Sequence, residues 1–151
     1  MIDQTTPRLS LPLLQPGQAQ KEIYHNEALA LLDLAVQPVV EATGRDQPPV
    51  APQPGQAWIV GMAPAGAWAG QEGAIAGWTG GGWRFLAPLE GMQAWSRADA
   101  MPVRYAAGGW QRGPAITPPA GGGTIDSQAR AAIAEIMAAL AGHGLIIADR
   151  A

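Results

Sequence analysis

Cysteine is absent from this 151-residue chain, which excludes a disulfide framework and any thiolate metal site. Charge is also scarce: Asp, Glu, Lys and Arg make up 14% of residues, against roughly 25% in an average globular chain. The formal net charge is -3 and neither sign forms a block, so electrostatic capture of nucleic acid or of an anionic membrane surface is excluded. No apolar run approaches the roughly 20 residues of a membrane span. The first residues carry Pro and Gln where a signal peptide needs an unbroken apolar stretch, so the chain is expected to be made in the cytoplasm. Phe occurs once and Tyr twice, so aromatic bulk in any core must come from tryptophan.

What replaces the missing charge is mainly Gly, Pro, Ala and Gln, while hydrophobic content stays at an ordinary 48%. Low charge on a folded chain implies that neighbours occupy part of its surface. Residues 1–17 hold Pro7, Pro12 and Pro16, which push the chain into an extended arm. Leu9, Leu11, Leu13 and Leu14 make that arm too apolar to float free. It is expected to lie against a surface, of this protein or another, and is the candidate for docking on a larger particle.

Residues 18–42 form the segment around which the rest is organised. Taking about 100° per residue, Ile23, Ala30, Leu31 and Leu34 share one side of a helix, and Leu29, Leu32, Val36 and Val39 the other. Asp33 is the only charge between Ala28 and Val40. So much apolar perimeter exceeds what a small chain readily surrounds. One face is expected to meet the chain's own sheet, and Leu29, Leu32 and Val36 further copies. Pro38 should stop or kink the helix near Gln37.

Residues 43–56 are a Pro-rich connector. Residues 57–112 hold all six tryptophans between Gly-rich turns, and short alternating runs such as AWIVG, GWRFL and PVRYA predict a small antiparallel sheet. Side-chain alternation puts Trp83 and Phe85 on one face, and likewise Val103 and Tyr105. Residues 113–123 form a second Pro/Gly connector. Residues 124–144 predict a helix capped by Thr124 or Asp126 and ended by Gly142 and Gly144. Ala129, Ile133, Ile136 and Leu140 follow the 4, 3, 4 spacing of a coiled-coil seam, and a helix this short is marginal unless docked. Self-association through Ile133, Ile136 and Leu140 is expected.

No catalytic constellation emerges. His25 and Glu27 diverge on a helix and cannot aim at one atom, so His25, Asn26 and Glu27 are expected to fasten the helix to the arm or to neighbouring backbone. No nucleophile motif surrounds Ser10, Ser96 or Ser127. Neither a metal nor a cofactor is implied. Trp58, Trp83 and Trp95 are expected in the core. Trp68 and Trp78, set among Gly-rich turns, are expected at the surface, where their rings could stack on sugars.

The run LPLLQPGQAQKEIYHNEALALLDLAVQPVV, followed by PGQAWIVG, GAWAGQEGAIAGW, GGWRFLAPLEGMQAWSR and VRYAAGGWQ, resembles an uncharacterised domain family encoded beside phage tail genes and in gene transfer agent clusters of alphaproteobacteria. That resemblance covers residues 9–111. It implies a virion appendage, a tail fibre or head spike subunit, and carries no catalytic residues. The expected fold is α+β: a long N-terminal helix packed on a small Trp-rich antiparallel sheet, with a C-terminal oligomerising helix. The expected role is structural, as a homotrimer that joins other particle proteins and mediates attachment to a host cell. The alternative is a monomeric module that binds surface polysaccharide through Trp68 and Trp78.

Overall fold

The structure is a computed structural model that describes residues 4–15, 17 and 21–148. The elements in order are α1 (Lys21–Ala35), β1 (Val39–Val40), β2 (Ala57–Ile59), a 3-10 turn at Gly66–Trp68, β3 (Ile75–Thr79), β4 (Gly82–Leu86), β5 (Gln93–Ser96), β6 (Met101–Ala106), β7 (Gly109–Arg112), β8 (Ala115–Ile116), α2 (Ser127–Gly142) and β9 (Ile147–Ala148). The fold is mixed α+β.

Helix α1 spans 15 residues and is shorter than the segment 18–42 expected for it; the expected start at residue 18 lies outside the described residues. Its C-terminal end has three causes. Pro38 has no N–H to continue the ladder. Gln37 takes φ 45°, the left-handed conformation that closes helices. Finally, the Arg8 guanidinium donates to the carbonyls of Asp33, Leu34, Val36 and Gln37, groups with few helical donors of their own. Val39 and Val40 therefore leave as a strand, pairing in parallel with Trp95 and Ser96.

The strands make two main sheets where one was expected. In the first, β2, β3 and β4 are antiparallel. The second has the order β1-β5-β6-β7 and is antiparallel apart from the β1–β5 pair. The break falls at residues 87–92, where Gly91 at φ 85° and a bond from Met92 N–H to the Leu89 carbonyl turn the chain away. A two-residue parallel pair, β8 with β9, returns the chain after α2.

Period-two alternation explains the core. Ala57, Ile59 and Ile75 face Val40, Ala94 and Val103 of the second sheet, and Leu34 of α1 inserts among them. On the opposite face of the first sheet, Trp58, Val60 and Ala76 gather under Trp68, with Trp83 and Phe85 beside them. Strand β2 is thus buried on both faces, which accounts for its unbroken apolar run.

Gly77 is where the helix meets this sheet: a Cβ there would lie 2.8 Å from Leu34 Cδ1. Gly77→Ala is expected to cost about 1–2 kcal/mol, overpacking outweighing the entropic gain of losing a glycine. Urea unfolding measures it, and an unchanged midpoint would show that Leu34 yields without cost.

The arm is a hairpin on α1 and not a free extended segment. Leu13 N–H bonds the Gln4 carbonyl at 2.8 Å and Thr6 N–H the Leu11 carbonyl at 2.9 Å, with Ser10 at φ 54° in the turn. The buried Asp33 carboxylate accepts from Thr6 Oγ1, Arg8 N–H and Leu9 N–H at 2.8, 3.0 and 2.6 Å. Asn26 exchanges two bonds with Leu14, as a neighbouring strand would. The surface that the arm lies on is therefore this chain's own. Leu11, Leu13 and Leu14 are half-buried, and of the four leucines offered for particle docking only Leu9 is exposed, to 41%.

Candidate functional site

Four tryptophans form one cluster on the outer face of the first sheet. Trp68 lies 5.1 Å from Trp83 and 6.3 Å from Trp58 between ring centroids, and Trp78 lies 4.9 Å from Trp83. Most of these pairs are edge-to-face, the arrangement favoured by ring quadrupoles. Trp68 is 0% exposed, which overturns its expected place at the surface. Gly66 at φ 61° opens the short 3-10 turn, and that turn folds the ring back over the sheet. A wholly buried ring cannot stack on a sugar. Trp78 is half-buried. Trp95, expected in the core, is 43% exposed, because it alternates with buried Ala94 and Ser96 and points away from the other sheet.

Aromatic surface of another kind appears where the two sheets splay apart. Tyr105 and Trp110 pair across the β6–β7 hairpin, their rings 5.6 Å apart and inclined at 69°. The register comes from a two-residue turn, Ala107 and Gly108, both at positive φ, as a type I′ hairpin requires. The two rings line an open cleft of about 710 Å³ with Ile59 and Val60 from the first sheet, Thr43 and Asp46 from the loop after β1, and Glu72 and Arg112. Trp110 Nε1–H donates to the Gly73 carbonyl at 2.8 Å, tying the second sheet to the turn before β3. Arg112 is held by Asp99 at 3.1 Å and Thr43 at 3.0 Å. The alternation that grouped Val103 with Tyr105 already hinted at this ring. Its partnership with Trp110 depended on a hairpin register that AAGG could have supplied.

The proposed contact faces are largely uncovered within the chain. Tyr24, Ala28 and Leu32 of α1 and Val36, one residue past its end, recur every fourth residue and all are exposed, Tyr24 to 81%, while Leu29 is half-buried. Ile23, expected on the inward side, is also exposed, since the helix reaches the core only at Leu34. On α2, capped by Asp126 through the N–H groups of Gln128 and Ala129, no residue is buried. Ile133 and Ile136 are 40% and 59% exposed and Leu140 is half-buried.

The helix-start polar group does structural work. Asn26 holds the arm, Glu27 pairs with Arg84 at 2.7 Å, and His25 Nδ1 lies 2.9 Å from the Lys21 carbonyl of its own helix. Among the described residues no His, Asp and Glu groups converge as a metal site would need, and no helix is long and apolar enough to cross a membrane.

The family described as "Protein of unknown function (DUF2793)" matches residues 25–111, more than half of the chain, and the chain belongs to that family. The match runs from the second turn of α1 through most of β7 and leaves α2 outside it. No curated protein matches the chain.

Proposed function

We propose, with membership of that family as the premise, that this chain is a structural subunit of a tail fibre or head spike on a phage-like or gene transfer agent particle. It assembles as a homotrimer, joins other particle proteins, and mediates attachment to the host surface. The observation that carries this reading is the apolar surface left open on both helices. Helix α2 fully buries none of its side chains, yet a 16-residue helix with its seam largely in water is marginal by itself. Three such helices packed through Ile133, Ile136 and Leu140 would shield one another. The stripe through Leu32 and Val36, with Leu29 beside it, adds a second contact. Several weak receptor contacts presented by one trimer then gain in avidity.

Light scattering on the size-exclusion peak of the full chain should report a trimer, and Ile133→Asp with Ile136→Asp should return it to a monomer with the circular dichroism of the β region unchanged. A wild-type chain that stays monomeric at micromolar concentration would sink the assembly. Electron micrographs of particles with and without the protein would locate the appendage.

A second reading, a monomeric module for surface polysaccharide, draws support from the partly exposed rings of Trp78 and Trp95. Glycan-array binding by a monomer, abolished by Trp78→Ala, would favour it over the fibre.

A further inference from the structure

We propose that the cleft between the two sheets binds a sugar unit carrying a free ammonium group; this deepens the host-attachment reading above and rests on it.

Two aromatic walls are already in place. Tyr105 and Trp110 meet edge to face at 5.6 Å, and the bond from Trp110 Nε1 to the Gly73 carbonyl at 2.8 Å fixes the indole before a ligand arrives. That order is not charged against binding. Such rings attract the C–H face of a pyranose and, more strongly, a cation.

Charge in the cleft selects between those ligands. Asp46 and Glu72 both line it. Asp46 uses Oδ1 to accept from Ala63 N–H at 3.0 Å, while Glu72 is exposed and takes part in no ion pair among the described residues. The positive group in the cleft, Arg112, is neutralised by Asp99. The local balance is negative, so uronic acids and phosphates are repelled and an ammonium is drawn in. A volume of about 710 Å³ falls within the range of small-ligand pockets and leaves room for a short saccharide.

The test is calorimetric titration of the full-length chain with a glucosamine trimer at a pH where the amine is protonated, beside its N-acetylated counterpart and a galacturonate trimer. The amine form should bind, the acetylated form about fivefold or more weakly, and the uronate not measurably. Glu72→Gln, at an exposed position, should weaken the amine form about fivefold with the unfolding midpoint unchanged. Tyr105→Ala should remove binding. Equal affinity for the amine and acetylated sugars would overturn the ammonium selectivity and leave glycan attachment standing. Binding unchanged in both variants would put the site elsewhere and overturn the assignment. If no sugar binds to a chain that still forms trimers, the cleft assignment is overturned and the structural-subunit reading survives; a monomer is the failure of that reading.

Discussion

Trp68→Ala is expected to lower the unfolding free energy by about 3–5 kcal/mol, the range for emptying a buried aromatic site. A domain of this size has about 5–15 kcal/mol in total, so the variant would sit near the threshold of folding. The reason lies in the ring's surroundings. Trp68 is fully buried among Trp58, Trp83, Val60 and Ala76, and its removal exposes their inner faces to a cavity that a stiff sheet cannot close. The indole N–H has no hydrogen-bond partner among the described residues. Trp68→Phe therefore loses ring area and little else, and should cost less than about 2 kcal/mol. Urea unfolding followed by near-ultraviolet circular dichroism reads both variants. A loss below about 1 kcal/mol for the alanine variant would mean that the four-ring cluster is not a cooperative part of the fold.

Asp33→Ala should cost a similar amount, about 3–5 kcal/mol, through polar chemistry. The carboxylate accepts from one hydroxyl and two backbone N–H groups of the arm, and Thr6 Oγ1 in turn accepts from Leu11 N–H at 3.0 Å. Removing the acceptor leaves these donors without a partner and Arg8 without the loop that aims it at the end of α1. Hydrogen exchange can localise the damage: the amides of Arg8, Leu9, Leu11 and Leu13 should lose protection first, while those of β3 keep theirs. Asp33→Asn retains one acceptor and should fall in between. If the arm amides exchange no faster in the alanine variant, the hairpin is held by its leucines and not by this carboxylate.

The contrast between these two residues shows what can be read along a chain. Asp33 was conspicuous as a lone charge in an apolar helix, yet its partners Thr6, Arg8 and Leu9 sit 24 to 27 residues away. Nothing in helical periodicity could name them. Trp68 looked exposed because glycines surround it, but those glycines bend the chain so that the ring can return to the sheet. Trp95 failed in the opposite sense: its strand was legible, and which side of that strand faced the core was set by the packing of Ala94 against the other sheet. The cleft was half legible, since alternation grouped Val103 with Tyr105, whereas the approach of Glu72 and Asp46 comes from loops that only the packing of two sheets brings together. The apolar excess of the helices was legible directly, because it depends on composition and angle alone.

The amino-acid sequence by itself determined the local elements and the neighbourhood of their ends: Pro38 bounding α1, a cap at Thr124 or Asp126 opening α2, and alternation marking the Trp-rich strands. Each follows from one residue's dihedral limits or hydrogen-bonding groups and needs no distant neighbour. Tertiary structure alone decided that the strands divide into two sheets, that the arm returns to α1, that Trp68 is sealed, and that Tyr105 and Trp110 border an acidic cleft. Burial and charge at a point in space are sums over chain segments far apart in sequence, and those sums exist only once the chain has folded.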